Sequence, residues 1–148
     1  MDIVSKITLK KCKESDWKMV EKMEKAAKSR LFSPYEGEEK IKEYIRKSEV
    51  YLILKEDDPI GTVSYEVKKD GHITFNGLIV LPKYRNKGIG SIAIQKALKR
   101  AGNRKAELIV HPENAIALII YLKLGFRIKN WKDNYFGDGE PRLILWKD

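Results

Sequence analysis

Arg85, Lys87, Gly88, Gly90 and Ser91 have the types and spacing of a phosphate cradle. They follow the apolar run Leu78-Ile79-Val80-Leu81 and precede Ile94, Ala97, Leu98 and Ala101. Those four recur at i, i+3, i+4 and i+7, the spacing of a buried helical stripe. A glycine turn that opens a helix exposes unpaired backbone N–H groups at the positive end of the helix dipole. Such a terminus binds phosphate or pyrophosphate. Gly88 and Gly90 let a ligand approach the backbone because they carry no Cβ, and Arg85 and Lys87 add positive charge. The spacing predicts a phosphorylated cofactor. It is not a P-loop, since no Lys-Ser/Thr pair follows the second glycine. It is not the Rossmann fingerprint either, whose glycines belong to a first βα unit, whereas this turn lies past the middle of the chain.

A second segment runs from Val110 through His111, Asn114, Ala117 and Tyr121 to Gly125 and Phe126. Asn114 has the chemistry of a helix N-cap and Gly125 that of a helix stop. The helix between them carries one phenol, Tyr121. Read alone, the first segment is also a tight turn followed by a surface helix, and the second a capped helix with Tyr121 in the core.

Together the two segments resemble the GNAT N-acetyltransferase superfamily. Arg85-x-x-Gly88-x-Gly90 is similar to its acyl-CoA loop, [QR]-x-x-G-x-[GA]. Asn114, Ala117, Tyr121, Gly125 and Phe126 fall in register with its second signature, N-x-x-A-x-x-x-Y-x-x-x-G-F. The resemblance covers about residues 3–147, with the specific motifs at 78–91 and 110–126. It implies an enzyme that uses acetyl-CoA. The pantetheine arm would pair with the main chain of Leu78, Ile79 and Val80. The pyrophosphate would sit on Arg85, Asn86, Lys87, Gly88, Ile89, Gly90 and Ser91. Asn114 would bind the cofactor through its amide, and Tyr121 would touch it and protonate the departing thiolate. The chemistry implied is direct attack of an amine on the thioester, with an oxyanion held by a backbone N–H near Val80. No metal takes part: two histidines and one cysteine make a poor zinc set.

The resemblance departs at the base. Where some relatives carry a Glu or Tyr, this chain has Thr74, which takes up no proton at neutral pH. His72 shares its strand face by alternation, and His111 lies at the end of a later strand; both are catalytic candidates, with Glu66 and Glu113 behind them. A weak base suits an α-amine. At pH 7 an α-amine of pKa ~7.7–8 is about a tenth neutral, a lysine of ~10.4 only a few parts in ten thousand. Two aromatic segments, around Phe32 and Tyr35 and around Tyr135 and Phe136, look like the peptide-gripping loops of protein N-terminal acetyltransferases of the ribosomal-protein-alanine type. The acidic turn expected after them reads Glu140-Pro141-Arg142 here. The acceptor implied is a protein or peptide N-terminus. A small amine such as a polyamine, or a protein lysine, is the alternative, and a CoA-binding or RNA-associated module without catalysis is a distant one.

These residues must be positioned by a framework that the chain spells out in order. Ile3 to Lys10 alternates as a strand, and Glu14 to Arg30 reads as a helix with Val20, Met23 or Glu24, and Ala27 on one side. Gly37 to Ser48 reads as a second helix. Val50–Lys55, Pro59–Lys68 and His72–Leu81 form a meander with turns at Asp57-Asp58-Pro59 and Lys69-Asp70-Gly71. The cradle and its helix follow, then a strand at Ala106–His111, the Asn114 helix, and a final pair at Arg127–Lys132 and Pro141–Trp146. The order β-α-α-β-β-β-α-β-α-β-β predicts an α+β fold, a mixed α/β sandwich. The resemblance names it as the GNAT acyl-CoA N-acyltransferase fold, one twisted mixed sheet flanked by about four helices, in a single domain over 1–148.

Composition sets the outer bounds. The chain has 148 residues, 43% hydrophobic and 34% charged, with a net charge of +9, which suits a soluble monomer or homodimer and a polyanionic cofactor. No nucleic-acid motif is present. The longest apolar run is too short for a membrane span, and the first residues lack the basic n-region of a signal peptide. Cys12 is alone, so a reducing cytoplasmic setting is expected.

Overall fold

The structure is a computed structural model that describes residues 3–29, 31 and 34–148. Its strands are β1 (Ile7–Lys11), β2 (Glu49–Lys55), β3 (Asp58–Val67), β4 (Ile73–Val80), β5 (Ala106–Val110), β6 (Arg127–Lys132) and β7 (Arg142–Lys147). They form one seven-stranded sheet in the order β1-β2-β3-β4-β5-β7-β6. All neighbours are antiparallel except β4 and β5. The helices are α1 (Ile3–Lys6), α2 (Trp17–Ala26), α3 (Glu38–Lys47), α4 (Ile89–Arg100) and α5 (Ala115–Lys123). This is the mixed-sheet α+β architecture that the element order predicts.

The strand expected from Ile3 starts only at Ile7, and Ile3–Lys6 forms one helical turn. The register explains it. Ile7 pairs with Lys55, the last residue of β2, and the chain turns away at Glu56 with φ 57°. No strand therefore lies opposite residues 3–6, and alternation alone does not hold a strand without a partner. The helix expected over Glu14–Arg30 divides into a 3₁₀ turn at Glu14–Asp16 and α2; Arg30 lies outside the described residues.

Each face of the sheet has its own core. On one face Ile73, Phe75, Leu108 and Leu145 pack with Ile94, Ala97, Leu98 and Tyr121 from α4 and α5. On the other, Val50 and Leu52 pack with Val20, Ile41, Tyr44 and Ile45 from α2 and α3, together with Cys12. Fully burying one such aliphatic side chain is worth about 1.5–3 kcal/mol, so both layers contribute to holding the sheet between them. Burial also pushes the Cys12 thiol up to about 12, as expected of a structural cysteine.

One irregularity positions the site. Phe75 pairs with Tyr65 and Gly77 with Ser64, so Asn76 is an extra residue on β4. A bulge of this kind bends its strand and ends regular pairing. Accordingly β4 pairs with β5 only over Ile73–Phe75 and Ala106–Leu108. Beyond the bulge the two strands diverge, and the sheet opens between Asn76–Val80 and the end of β5. Gly61 keeps β3 close to the bent strand, since a Cβ there would lie 2.0 Å from the Ile79 carbonyl oxygen.

Candidate active site

The opening between β4 and β5 gathers most of the residues singled out by the sequence. Leu81 donates its N–H to the Ile60 carbonyl at 2.9 Å, so by alternation Ile79 also turns its main chain toward β3. Leu78 and Val80 then turn theirs toward the gap. Arg85 folds back, and its Nε donates to the Val80 carbonyl at 2.8 Å. Ile79 itself is buried, with its side chain in the core.

The chain leaves β4 through a 3₁₀ turn at Pro82–Tyr84 and enters α4 at Gly88. Gly88 is left-handed, with φ 79° and ψ 6°, a conformation that favours glycine. Among the described residues, the N–H groups of Asn86 through Ser91 have no protein acceptor, and the first bond of the helix is Ile92 N–H to Gly88 O at 3.2 Å. Six consecutive donors at a helix N-terminus, beside exposed Lys87 and Arg85, fit a pyrophosphate. Ile89 offers only its backbone, since its side chain is buried in the core.

Across the gap, Asn114 caps α5: its Oδ1 accepts the Ala117 N–H at 3.4 Å. Tyr121 lies on the same helix face and meets Phe126 edge-on at 6.1 Å. Its hydroxyl has no protein partner among the described residues. No buried side-chain N or O there lacks one, so this hydroxyl touches solvent. Burial of the ring raises the phenol above its ordinary pKa, which keeps it protonated.

The two histidines part company. His72 precedes β4, at the end of that strand far from the cradle. Its ring pairs with Asp70 and lies 4.9 Å from Trp146. It is not brought to the opening. His111 is, because it directly follows β5. It is buried, and both ring nitrogens are engaged: Nε2 with Glu140 Oε1 at 2.8 Å, and Nδ1 accepting the Glu113 N–H at 3.0 Å. In this arrangement His111 ties the end of β5 to the loop before β7.

The structure sets Glu66, already a weaker candidate from the sequence, beside Glu107 and adds Glu24; sequence reasoning missed the last two as acids. Register places Glu66, Thr74 and Glu107 side by side on β3, β4 and β5, and the Thr74 hydroxyl donates to Glu107 at 3.1 Å. The position without a base is therefore flanked by two carboxylates. A lone Glu, second in the otherwise apolar strand Ala-Glu-Leu-Ile-Val, was the available signal for Glu107. Glu24 on α2 was the other: it is 2% exposed, and burial pushes its carboxyl up to about 7, against the lowering effect of the Tyr35 N–H.

Two aromatic loops flank this acidic row. Tyr35 stacks on Tyr44 at 4.3 Å, and its phenol is raised by burial, then by Glu24 and Glu66. Tyr135 meets Phe136 at 4.7 Å, and its phenol is raised by burial, then by Glu107, and lowered by Lys68. Lys68 and Glu66 lie 3.4 Å apart. Phe32 lies outside the described residues. Below Tyr35 is a cavity of ≈ 380 Å³ lined by Tyr44, Ser48, Glu66 and Asn76 among others.

The acetyltransferase (GNAT) family matches residues 17–126, which include the cradle, the opening and α5. The chain belongs to that family. This GNAT N-acetyltransferase is 28% identical over 112 residues to the uncharacterized N-acetyltransferase YjcF of Bacillus subtilis (strain 168), covering 76% of this chain and 79% of that one. It is 35% identical over 81 residues to an N-alpha-acetyltransferase of Sulfurisphaera tokodaii, covering 52% and 47%. Among solved structures, the spermidine/spermine N-acetyltransferase SpeG of Vibrio cholerae superposes with a TM-score of 0.78 at 20% identity, covering 99% and 94%. That likeness is one of fold. Membership of the family implies use of acetyl-CoA and an amine acceptor. Among the described residues no helix is long and apolar enough to cross a membrane.

Proposed function

We propose that this GNAT N-acetyltransferase acetylates the N-terminal α-amine of a protein or peptide. One observation carries the reading: Tyr35 and Tyr135, from two separate loops, flank the acidic row Glu66–Thr74–Glu107 at the base of the opening. Tyr35 is 39% and Phe136 59% exposed, so aromatic surface is available to hold a peptide chain. The carboxylates attract the ammonium group and accept its proton, directly or through water. The relative from Sulfurisphaera tokodaii is an N-alpha-acetyltransferase, which supports the same acceptor.

Acetyl-CoA supplies the activated acetyl thioester. The residues for it are the donors of Asn86 through Ser91 for pyrophosphate, and the main chain of Leu78 and Val80 for the pantetheine arm. The Val80 N–H, turned to the gap, is the donor for negative charge on the carbonyl oxygen. Tyr121 presents a protonated hydroxyl for the departing sulfur. His111 holds the loop that carries Tyr135 and Phe136. A small polycationic amine is the second reading, favoured by the two carboxylates on either side of Thr74.

A panel of short peptides, spermidine and other small amines, read by mass spectrometry, decides between them. The expected result is α-amine acetylation that exceeds lysine acetylation in the same peptide by a few-hundred-fold near pH 7, the advantage set by the neutral-amine fractions. Spermidine used at least tenfold better than every peptide would replace the first reading with the second.

A further inference from the structure

The region that carries Tyr35 is held from below by one helix. Glu21, Glu24 and Lys28 lie at i, i+3 and i+7 along α2 and the residues just after it, which places them on one edge. They meet three consecutive residues of the segment that enters α3. Glu24 Oε1 accepts the Tyr35 N–H at 3.0 Å. Glu21 Oε2 accepts the Gly37 N–H at 2.8 Å. Lys28 Nζ lies 3.4 Å from Glu36 Oε1.

Two of these contacts are to backbone N–H groups, so they fix where the segment runs rather than which side chains it bears. The contacts continue to the opening. The Tyr35 ring stacks on Tyr44, the Tyr44 hydroxyl bonds Ser64, and Ser64 donates to Asn76 Oδ1 at 2.6 Å. Asn76 is the bulged residue where β4 leaves β5. A displacement of residues 35–37 would therefore be felt where the two strands part.

We propose that Glu21, Glu24 and Lys28 are positioning residues for the acceptor. They clamp residues 35–37 and so set Tyr35 at the mouth of the opening. The role assigned to Tyr35 rests on the acceptor reading above; the clamp itself does not.

Glu24 is the centre of the clamp and its titratable part. Around it stand the Tyr35 N–H and phenol from the loop, Tyr44 from α3, and Glu21 one turn earlier on α2, with Glu66 of β3 beyond Tyr35. The nearby cations on the same stretch are engaged elsewhere, Lys28 with Glu36 and Lys25 with Glu21. An ionised carboxylate accepts an N–H more strongly than a neutral one, so the clamp tightens as pH rises through the range in which Glu24 titrates.

Two measurements test this with Glu24→Gln and Glu21→Gln. Amide hydrogen exchange at pH 8 on the protein without any acceptor should show at least tenfold faster exchange at Tyr35 in the first variant and at Gly37 in the second, with α4 and the central strands unchanged. Steady-state kinetics should use the panel amine that turns over best. The acceptor KM of Glu24→Gln relative to the unaltered protein should rise from near one at pH 6 to about ten at pH 8, with the acetyl-CoA KM steady. The amine's own titration is common to both proteins and cancels in that ratio. Unchanged exchange at both amides would overturn the clamp. Faster exchange with a flat KM ratio would overturn its role in positioning the acceptor. If no amine in the panel turned over, the acceptor reading would fall while the exchange data still decided the clamp.

Discussion

At the residue scale the most consequential side chain is Tyr121. Its ring is buried against Phe126, and its hydroxyl bonds to nothing else in the described protein. A hydroxyl with no structural partner is available for a ligand, and removing it leaves no orphaned group behind. The raised pKa keeps this phenol protonated and makes it a weak acid, so the role proposed for it is to donate a hydrogen bond to the sulfur as charge develops. Tyr121→Phe should therefore fold normally and lower turnover about 10²-fold, with acetyl-CoA affinity little changed. Stopped-flow thiol release alongside calorimetric titration of acetyl-CoA measures both quantities. Turnover within twofold of the original would make Tyr121 a packing residue only.

The element that matters most is the start of α4. Gly88 has φ 79°, and a Cβ there would meet nothing within 4 Å. Asn and Asp tolerate the left-handed region better than other residues with a side chain, so both fit this position with little strain. They differ in charge. Gly88→Asp sets a carboxylate beside the N–H groups of Asn86 through Ser91, where a pyrophosphate would be repelled. Gly88→Asn adds similar bulk without the charge. Calorimetry with acetyl-CoA should find the Asp variant at least tenfold weaker than the Asn variant. Equal affinities in two folded proteins would move the cofactor's phosphates away from this turn.

For the molecule as a whole, Glu24 makes stability depend on pH. Its carboxyl is pushed up to about 7 by burial, against ~4.3 in an unfolded chain. The native state then holds this proton more tightly than the unfolded state does. The stability linked to it is complete below about 4.3 and is lost as pH rises through about 7. Glu24→Gln stays neutral throughout and escapes the loss. Urea unfolding at a series of pH values should show the variant gaining on the original protein by about 3 kcal/mol between pH 4 and pH 8. Parallel curves would mean that Glu24 titrates as an ordinary surface acid. The sheet's outer edge shows a different whole-molecule feature. All six residues of β6 are exposed, and Arg127, Lys129 and Lys132 along it discourage pairing with another chain's edge.

The sequence by itself determined the parts of this protein that depend on neighbours along the chain. The strand, glycine turn and helix of the cradle, the Asn114 cap, the Tyr121 helix and the order of elements were legible because caps, turns and periodicity act over a few residues. Only the tertiary structure decided what happens between distant residues. The extra residue Asn76 opens the sheet, and nothing in the local pattern of β4 announces that its partner strands are out of step there. Register sets Glu66 and Glu107 beside Thr74, filling with two carboxylates a place that looked empty of a base. His72 and His111 look alike as letters. One ends up beside Asp70 at the far end of its strand, and the other locks to Glu140 at the opening. Glu24, one of two residues that the helical stripe left open, proves to hold the backbone of a loop eleven residues further on. Register, bulges and long-range hydrogen bonds depend on which strands and loops meet, and that is fixed by packing the whole chain rather than by any one segment of it.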